Sequence, residues 1–261
     1  MEKLVKGIVA FFLLLALCNC AGSGSGSGAS SSSVNMGASY LTLPRSGELV
    51  ILGVSARQSS RSAEINNARE DAARKASMYH GFSASVESIQ DIGTGYLDYF
   101  VSSETYIVYD NQIEWYKERL SFDPDRDVVR NNDGAVFIKF SYPVPSPYTI
   151  DYHFRRNPDG SPEWISRSPQ EIGGFKTGIG YSGRLERLND TVRRSYETAA
   201  AAILSYYYST VESRDSVVAG QSTSRISSQS KGRLDNFIIL DIWIDPKSRG
   251  IYTLAIARKA E

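Results

Sequence analysis

Three groups of side chains in this chain have types and spacings that could do chemistry. The carboxylates Glu87, Asp91, Asp98, Glu212 and Asp215 could supply an acid/base pair for glycoside cleavage. No histidine or serine constellation stands beside them, so the expectation is that the chain is not an enzyme. Gly178-Ile179-Gly180-Tyr181-Ser182-Gly183 spells G-x-G-x-x-G ahead of a helical stretch. A dinucleotide site also needs an apolar parallel strand just before it, and Gly173 to Thr177 offers only Phe175. These glycines are read as places where a strand bends, and no cofactor is expected. Tyr206-Tyr207-Tyr208, with Tyr96, Tyr99 and Phe100, could form an aromatic shelf for glycan or a partner; the competing reading places them in a core at a helix end. His80 and His153 lie far apart without companion cysteines, so no metal-ligand spacing is present.

A fourth chemical group is Cys20, and here the context is specific. Lys3 and Lys6 make a basic start, and Gly7 to Leu17 is an uncharged apolar run. Its eleven residues would span about half of a ~30 Å hydrocarbon core, too little for a transmembrane helix. A cleaved signal peptide over residues 1–19 is the expectation. Leu17-Cys18-Asn19-Cys20 resembles a bacterial lipoprotein box, with leucine at −3, although Asn19 replaces the usual small residue at −1. Cys20 is therefore the expected lipidation site; Cys18 is the other candidate. Acyl chains contribute roughly 0.8 kcal/mol per buried CH₂, so several together hold a protein durably on a membrane. Ala21 stands where, by the same resemblance, an aspartate would favour inner-membrane retention, which points to the outer membrane facing the periplasm. Gly22 to Ser33 alternates glycine and serine and cannot bury apolar surface, so residues 20–40 read as anchor and disordered tether.

Removing residues 1–19 takes away Lys3, Lys6 and Glu2, leaving 27 basic against 28 acidic residues. A near-neutral chain has no basic excess to neutralise phosphates, so nucleic acid is not an expected partner. No cysteine remains beyond Cys20, and stability must come from a core instead of disulfides.

Two stretches then look alike. Gly53 to Ser88 aligns without a gap on Gly178 to Ser213, at a constant offset of 125 that superposes Val86-Glu87-Ser88 on Val211-Glu212-Ser213. Ile65, Ala68, Ala72, Ala76 and Tyr79 form one helical stripe, with Glu64, Arg69, Glu70, Arg74 and Lys75 on the opposite face. Leu185, Leu188, Val192, Tyr196, Ala199, Ile203 and Tyr206 form the second stripe. Ser62 is the expected N-cap of the first helix and Gly81 its stop, while Asn189-Asp190-Thr191, a glycosylation sequon, is read as a cap of the second. Phe237 to Arg258 reads as a hairpin turning at Asp245-Pro246. In the first copy Glu118 to Asp123 and Ala135 to Tyr142 would be the matching strands, with Asp123-Pro124 as the recurring pair. Between the copies, Tyr148 to Arg155 and Glu163 to Ile165 read as a small hairpin in a proline-rich insert.

The glycine-bearing strand Gly53, the alanine-rich helix Ala68 to Ala76, and Asp245-Pro246 followed by Tyr252-Thr253-Leu254-Ala255 resemble the Lpp-twenty-type envelope lipoproteins and the N-terminal domain of the flagellar assembly protein T. The resemblance covers most of residues 47 to 142 and 173 to 259. It implies an envelope-anchored binding or assembly module without catalytic residues. The expected fold is α+β: duplicated β-α-β-β-β units, antiparallel sheet with helices packed on one face. The expected organisation is a first module over 41–142, the insert over 143–172 and a second module over 173–261. Expected partners are the membrane, through acyl chains such as palmitate, and an envelope protein or the cell wall; Tyr206, Tyr207 and Tyr208 are the candidate contact residues.

Overall fold

The computed structural model describes residues 40–44, 47–93, 100–131, 134–145, 150, 152–218 and 221–260. Cys20, the signal segment and the Gly/Ser tether lie outside the described residues. In chain order the elements are β1 (Glu48–Ser55), α1 (Arg61–Tyr79), β2 (Phe82–Gly93), β3 (Phe100–Val108), α2 (Ile113–Arg119), β4 (Val128–Arg130), β5 (Val136–Pro143), α3 (Glu163–Ser166), β6 (Glu171–Ile172), β7 (Phe175–Ser182), α4 (Leu188–Tyr208), β8 (Ser209–Val218), β9 (Gln221–Ile244) and β10 (Ile251–Lys259). They make one three-stranded sheet, β1-β5-β4, and one seven-stranded sheet, β3-β2-β9-β10-β7-β6, with β8 also paired to β9. Every strand pair is antiparallel, and the fold is α+β. The halves share a sheet, because β2 pairs with β9 from Phe82↔Leu234 to Gly93↔Thr223.

The helices lie where small residues let backbone approach backbone. Ala68, Ala72 and Ala76 are fully buried on α1, as are Val192, Tyr196, Ala199 and Ile203 on α4. A Cβ on Gly53 would sit 2.1 Å from the Ala68 carbonyl oxygen, and one on Gly180 would sit 1.8 Å from that of Ser195. Gly178 would likewise meet the Ala199 oxygen at 2.2 Å. The glycines of the G-x-G-x-x-G run therefore do not mark a bend. Gly178 and Gly180 sit inside a regular antiparallel strand and make room for the helix that crosses it.

Local signals shifted by small amounts. Ser60, not Ser62, caps α1 by accepting from the Ala63 amide at 3.2 Å, and Gly81 takes a φ of 110° just past its end. Leu185 falls before α4 and is exposed. The stretch from Glu118 does not start a strand, because α2 runs on to Arg119. Asp123-Pro124 precedes β4; the turn into β5 is built by Asn131, whose side chain accepts from the Ala135 amide at 2.8 Å. Asp245 does form its turn, accepting from the Lys247 and Ser248 amides at 2.9 and 3.3 Å. In the insert, Glu163 to Ser166 is one helical turn instead of a strand. Trp164 is its anchor: it is 1% exposed, and its indole N–H donates to Asp241 at 3.0 Å.

The larger departure is that the expected polar face of α1 is partly buried. Glu64 and Lys75 are 3% and 4% exposed, because the second half of the chain and the β4–β5 hairpin cover them. A buried charge needs partners. Arg130 donates to both Glu64 oxygens, at 3.1 and 2.6 Å, and holds that carboxyl below its ordinary range. Lys75 donates to Asp71 and to the Leu52 carbonyl, each at 2.6 Å, with the Tyr196 ring of α4 5.2 Å away.

These contacts close an edge. β1 pairs with β5 on one side only, and its other side is buried against the helices. There Leu52 O accepts from Lys75, the Val54 amide donates to Asp71 at 2.9 Å, Val54 O accepts from the Asn189 side-chain amide at 3.1 Å, and the Ala56 amide donates to Asn189 Oδ1 at 2.6 Å. Three side chains from two helices replace a neighbouring strand. Asn189 is thus no helix cap: α4 begins without a side-chain cap at Arg187.

Two substitutions test this packing by urea unfolding. Gly180→Ala is expected to lower stability by about 2 kcal/mol or more. Gly183→Ala, where the added carbon meets nothing nearer than 3.8 Å, should change it by less than about 0.5 kcal/mol. Asn189→Ala strands a carbonyl and an amide at the β1 edge and should cost about 2 kcal/mol; an unchanged midpoint would remove the side-chain closure from the account.

Candidate functional site

Beyond the two apolar clusters, four strands run on together as a slab. β2 pairs with β3 from Ser83↔Val108 to Asp91↔Phe100, and β8 pairs with β9 from Ser209↔Ser230 to Val218↔Gln221. With β2 on β9, the order across the slab is β3-β2-β9-β8, and Glu104, Glu87, Gln229 and Thr210 stand in one row. Phe82, Ala84 and Leu234 tie its base into the core around α4. Ser83, Glu87, Gln229, Lys231 and Arg233 of the same base are exposed. Gln229 donates to Glu87 across the strands at 2.9 Å.

Away from this slab β1 and β4 are defended edges, while β6 pairs with only Phe175 and Lys176 of the eight-residue β7. β1 is closed by side chains, β4 is three residues long and β6 two. Short or covered edges are the usual defence against strand pairing between chains. β3 and β8 are nine and ten residues long, and among the described residues no strand pairs with their outer sides. β3 also carries two of the largest exposed apolar side chains, Tyr106 at 57% and Val108 at 69%. A long edge strand with exposed apolar residues is a pairing surface.

A second cluster gathers residues that are scattered in sequence. His80, at the end of α1, shares a 2.7 Å hydrogen bond with the Tyr142 hydroxyl of β5. Tyr79, Trp115, Tyr116 and Tyr142 surround the imidazole, and Tyr116 donates to Asp110 at 3.0 Å. Burial pushes the His80 pKa below its ordinary value against the opposing pull of Asp110, and burial with Asp110 pushes the Tyr116 hydroxyl up. The Arg119 guanidinium lies 3.5 Å over Trp115 and covers its open face. The arrangement fastens the end of α1 to α2 and β5.

The tyrosines singled out in the sequence do come together, but not as a flat shelf. Tyr206 and Tyr207 stand at 87° to each other, Tyr207 and Tyr208 at 64°. Tyr206 is exposed beside Lys176, whose ammonium is 4.5 Å from its ring. Tyr208 lies against Gly232, donates to the Arg233 carbonyl at 3.0 Å, and is half-buried like Tyr207. Tyr96, Tyr99 and Asp98 lie outside the described residues. Phe100 is at the start of β3 and Asp91, Glu212 and Asp215 are on β2 and β8, where Glu212 stands opposite Ser227, two rows along from Glu87. His153 is exposed and remote from His80 in sequence. Among the described residues no three His, Cys, Asp or Glu side chains converge in a way that could hold a metal.

The first half of β9 carries no strand signal in the sequence, since Gln221 to Ser230 has six serines and threonines and no apolar alternation. No protein-family model, curated protein or solved structure matches the chain.

The depressed His80 pKa gives a signed pH dependence. The folded state favours neutral imidazole, so this stability is complete above the unfolded value of about 6.5 and falls as pH drops toward the folded pKa. Chemical denaturation across pH 5 to 8 should show a loss on the acid side that His80→Gln flattens; an identical slope in the variant would mean His80 is not its source.

Proposed function

We propose that the chain is an envelope lipoprotein, anchored through acyl chains on Cys20, that works without catalysis as an assembly module. The observation that carries this reading is the pair of long open edges, β3 and β8, at the two sides of one four-stranded slab. A strand added to such an edge gains a ladder of main-chain hydrogen bonds, with side-chain pockets setting specificity. The Gly/Ser tether supplies reach from the membrane surface.

The same reading takes the two halves as copies of one unit. Strand β7 repeats the eight-residue length of β1, and α1 and α4 begin six residues after those strands end. Each helix is followed closely by a long strand, and β1 pairs with β5 as β7 pairs with β10. These matches run at an offset of 127, where Gly53 corresponds to Gly180 and Ala68 to Ser195. The offset of 125 put Gly53 on Gly178 and rested on Val-Glu-Ser, which the strands do not superpose.

A glycan reader using Tyr206, Tyr207 and Tyr208 is the rival, and the edge-on rings with one exposed member favour the strand-addition reading over it. A photo-crosslinking residue placed at position 108, or in a separate chain at 206, separates them in living cells. Protein adducts from 108 with none from 206 are expected; adducts to wall glycan from 206 alone would overturn the reading. Intact mass of the same protein should show an acyl-sized increase that Cys20→Ser lacks, and an unacylated native chain would remove the anchor.

A further inference from the structure

We propose that the strand added to β3 is β8 of a second copy of this chain, and that copies joined head to tail close into a ring whose wall is the four-stranded slab. This rests on the strand-addition reading and names its partner.

Polarity allows it. Across β3-β2-β9-β8 every pair is antiparallel, so β3 and β8 run in opposite directions. A copy translated around the ring brings its β3 antiparallel to the neighbour's β8, and the sheet continues without a break. Pairing β3 with β3, or β8 with β8, would close one kind of edge and leave the other open; β3 on itself at full overlap also sets Glu104 opposite Glu104. Like charges directly opposite are destabilising. Head-to-tail contacts that close are the way to satisfy both edges at once.

Sequence complementarity selects the register. When all nine positions of β3 are overlaid on positions 210–218, Glu104 falls opposite Arg214. Val101 then meets Val217, Ile107 meets Val211, and Ser102 meets Ser216. Phe100 likewise meets Val218 and the central acid meets the central base, while Tyr106 and Val108 stand opposite Glu212 and Thr210.

Closure geometry agrees independently. Within one chain the row from Glu104 ends at Thr210. In the proposed register Thr210 stands opposite Val108 of the next copy, so the row steps from 104 to 108 over four strands. That is one residue per strand, the stagger of a closed barrel with eight strands, a shear of about 8 and a tilt of about 36°.

The wall stands in water instead of lipid. Alternate positions of β8 carry Asp215 in one set and Glu212 and Arg214 in the other, so neither face has the unbroken apolar band that a lipid-facing barrel requires.

The test is sedimentation velocity of the full-length processed chain, purified in detergent without other proteins. Glu104→Arg and Arg214→Glu should each lower the assembled fraction about tenfold at fixed concentration. The double variant, which restores opposite charges, should recover it. In a separate pair, Ile107→Cys with Val211→Cys should oxidise to a covalent dimer and no further, as two four-stranded copies closing an eight-stranded wall require, while Ile107→Cys alone should not cross-link. A monomer at all concentrations, a ladder that runs on beyond dimer, or a double variant no better than either single would each overturn the inference. A pure chain that stays monomeric yet still forms protein adducts from position 108 in cells would leave the strand-addition reading standing; loss of both would sink both.

Discussion

The constraint on which this structure depends is the buried edge of β1. A sheet edge away from water must find partners for its amides and carbonyls. Here the partners are Lys75 and Asp71 of α1 and Asn189 of α4. Because the three come from both halves, the edge also fixes how α1 and α4 sit relative to the three-stranded sheet. Lys75 near the Tyr196 ring and Tyr109 donating to Glu197 at 2.7 Å reinforce the same seam. The charges are tolerable inside only as a matched set, since one partner removed leaves an uncompensated buried group.

That closure gives meaning to the edges left open. The chain covers β1 with side chains and keeps β4 and β6 to three and two residues. It also lays Tyr40 and Thr42 along β9, their amides donating to Ile242 and Leu240 at 2.9 and 3.0 Å. β3 and β8 receive none of these devices among the described residues. Two long open edges of opposite direction on one slab are what the proposed pairing would use.

Much of the α+β frame was legible in the sequence, and the reasons are local. Alanines at 68, 72 and 76 mark a helix pressed on backbone, and Asp245-Pro246 marks its turn. What escaped depended on distant residues. The 3.6 period of α1 identifies one buried face, so Glu64 and Lys75 looked solvated; their burial comes from Arg130, Leu52 and α4. Asn189 looked like a cap because nothing near it in sequence shows a strand edge 135 residues earlier. His80 seemed isolated because its partners sit at 110, 115, 116 and 142. The first half of β9 was silent because a serine-rich strand paired on both sides has no apolar face to read. For the proposed repeat, short identities favoured the wrong offset, whereas the glycine-on-carbonyl contacts point to the other.

The most direct measurement of the central claim is amide hydrogen exchange on the chain in its native envelope, compared with the chain dispersed in detergent. The account expects strong protection of β3 and β8 amides in the envelope, lost on dispersal, while the Val54 and Ala56 amides stay protected in both. Equal, fast exchange of β3 and β8 in the two states would contradict it, as would a β1 edge that opens whenever the chain is dispersed.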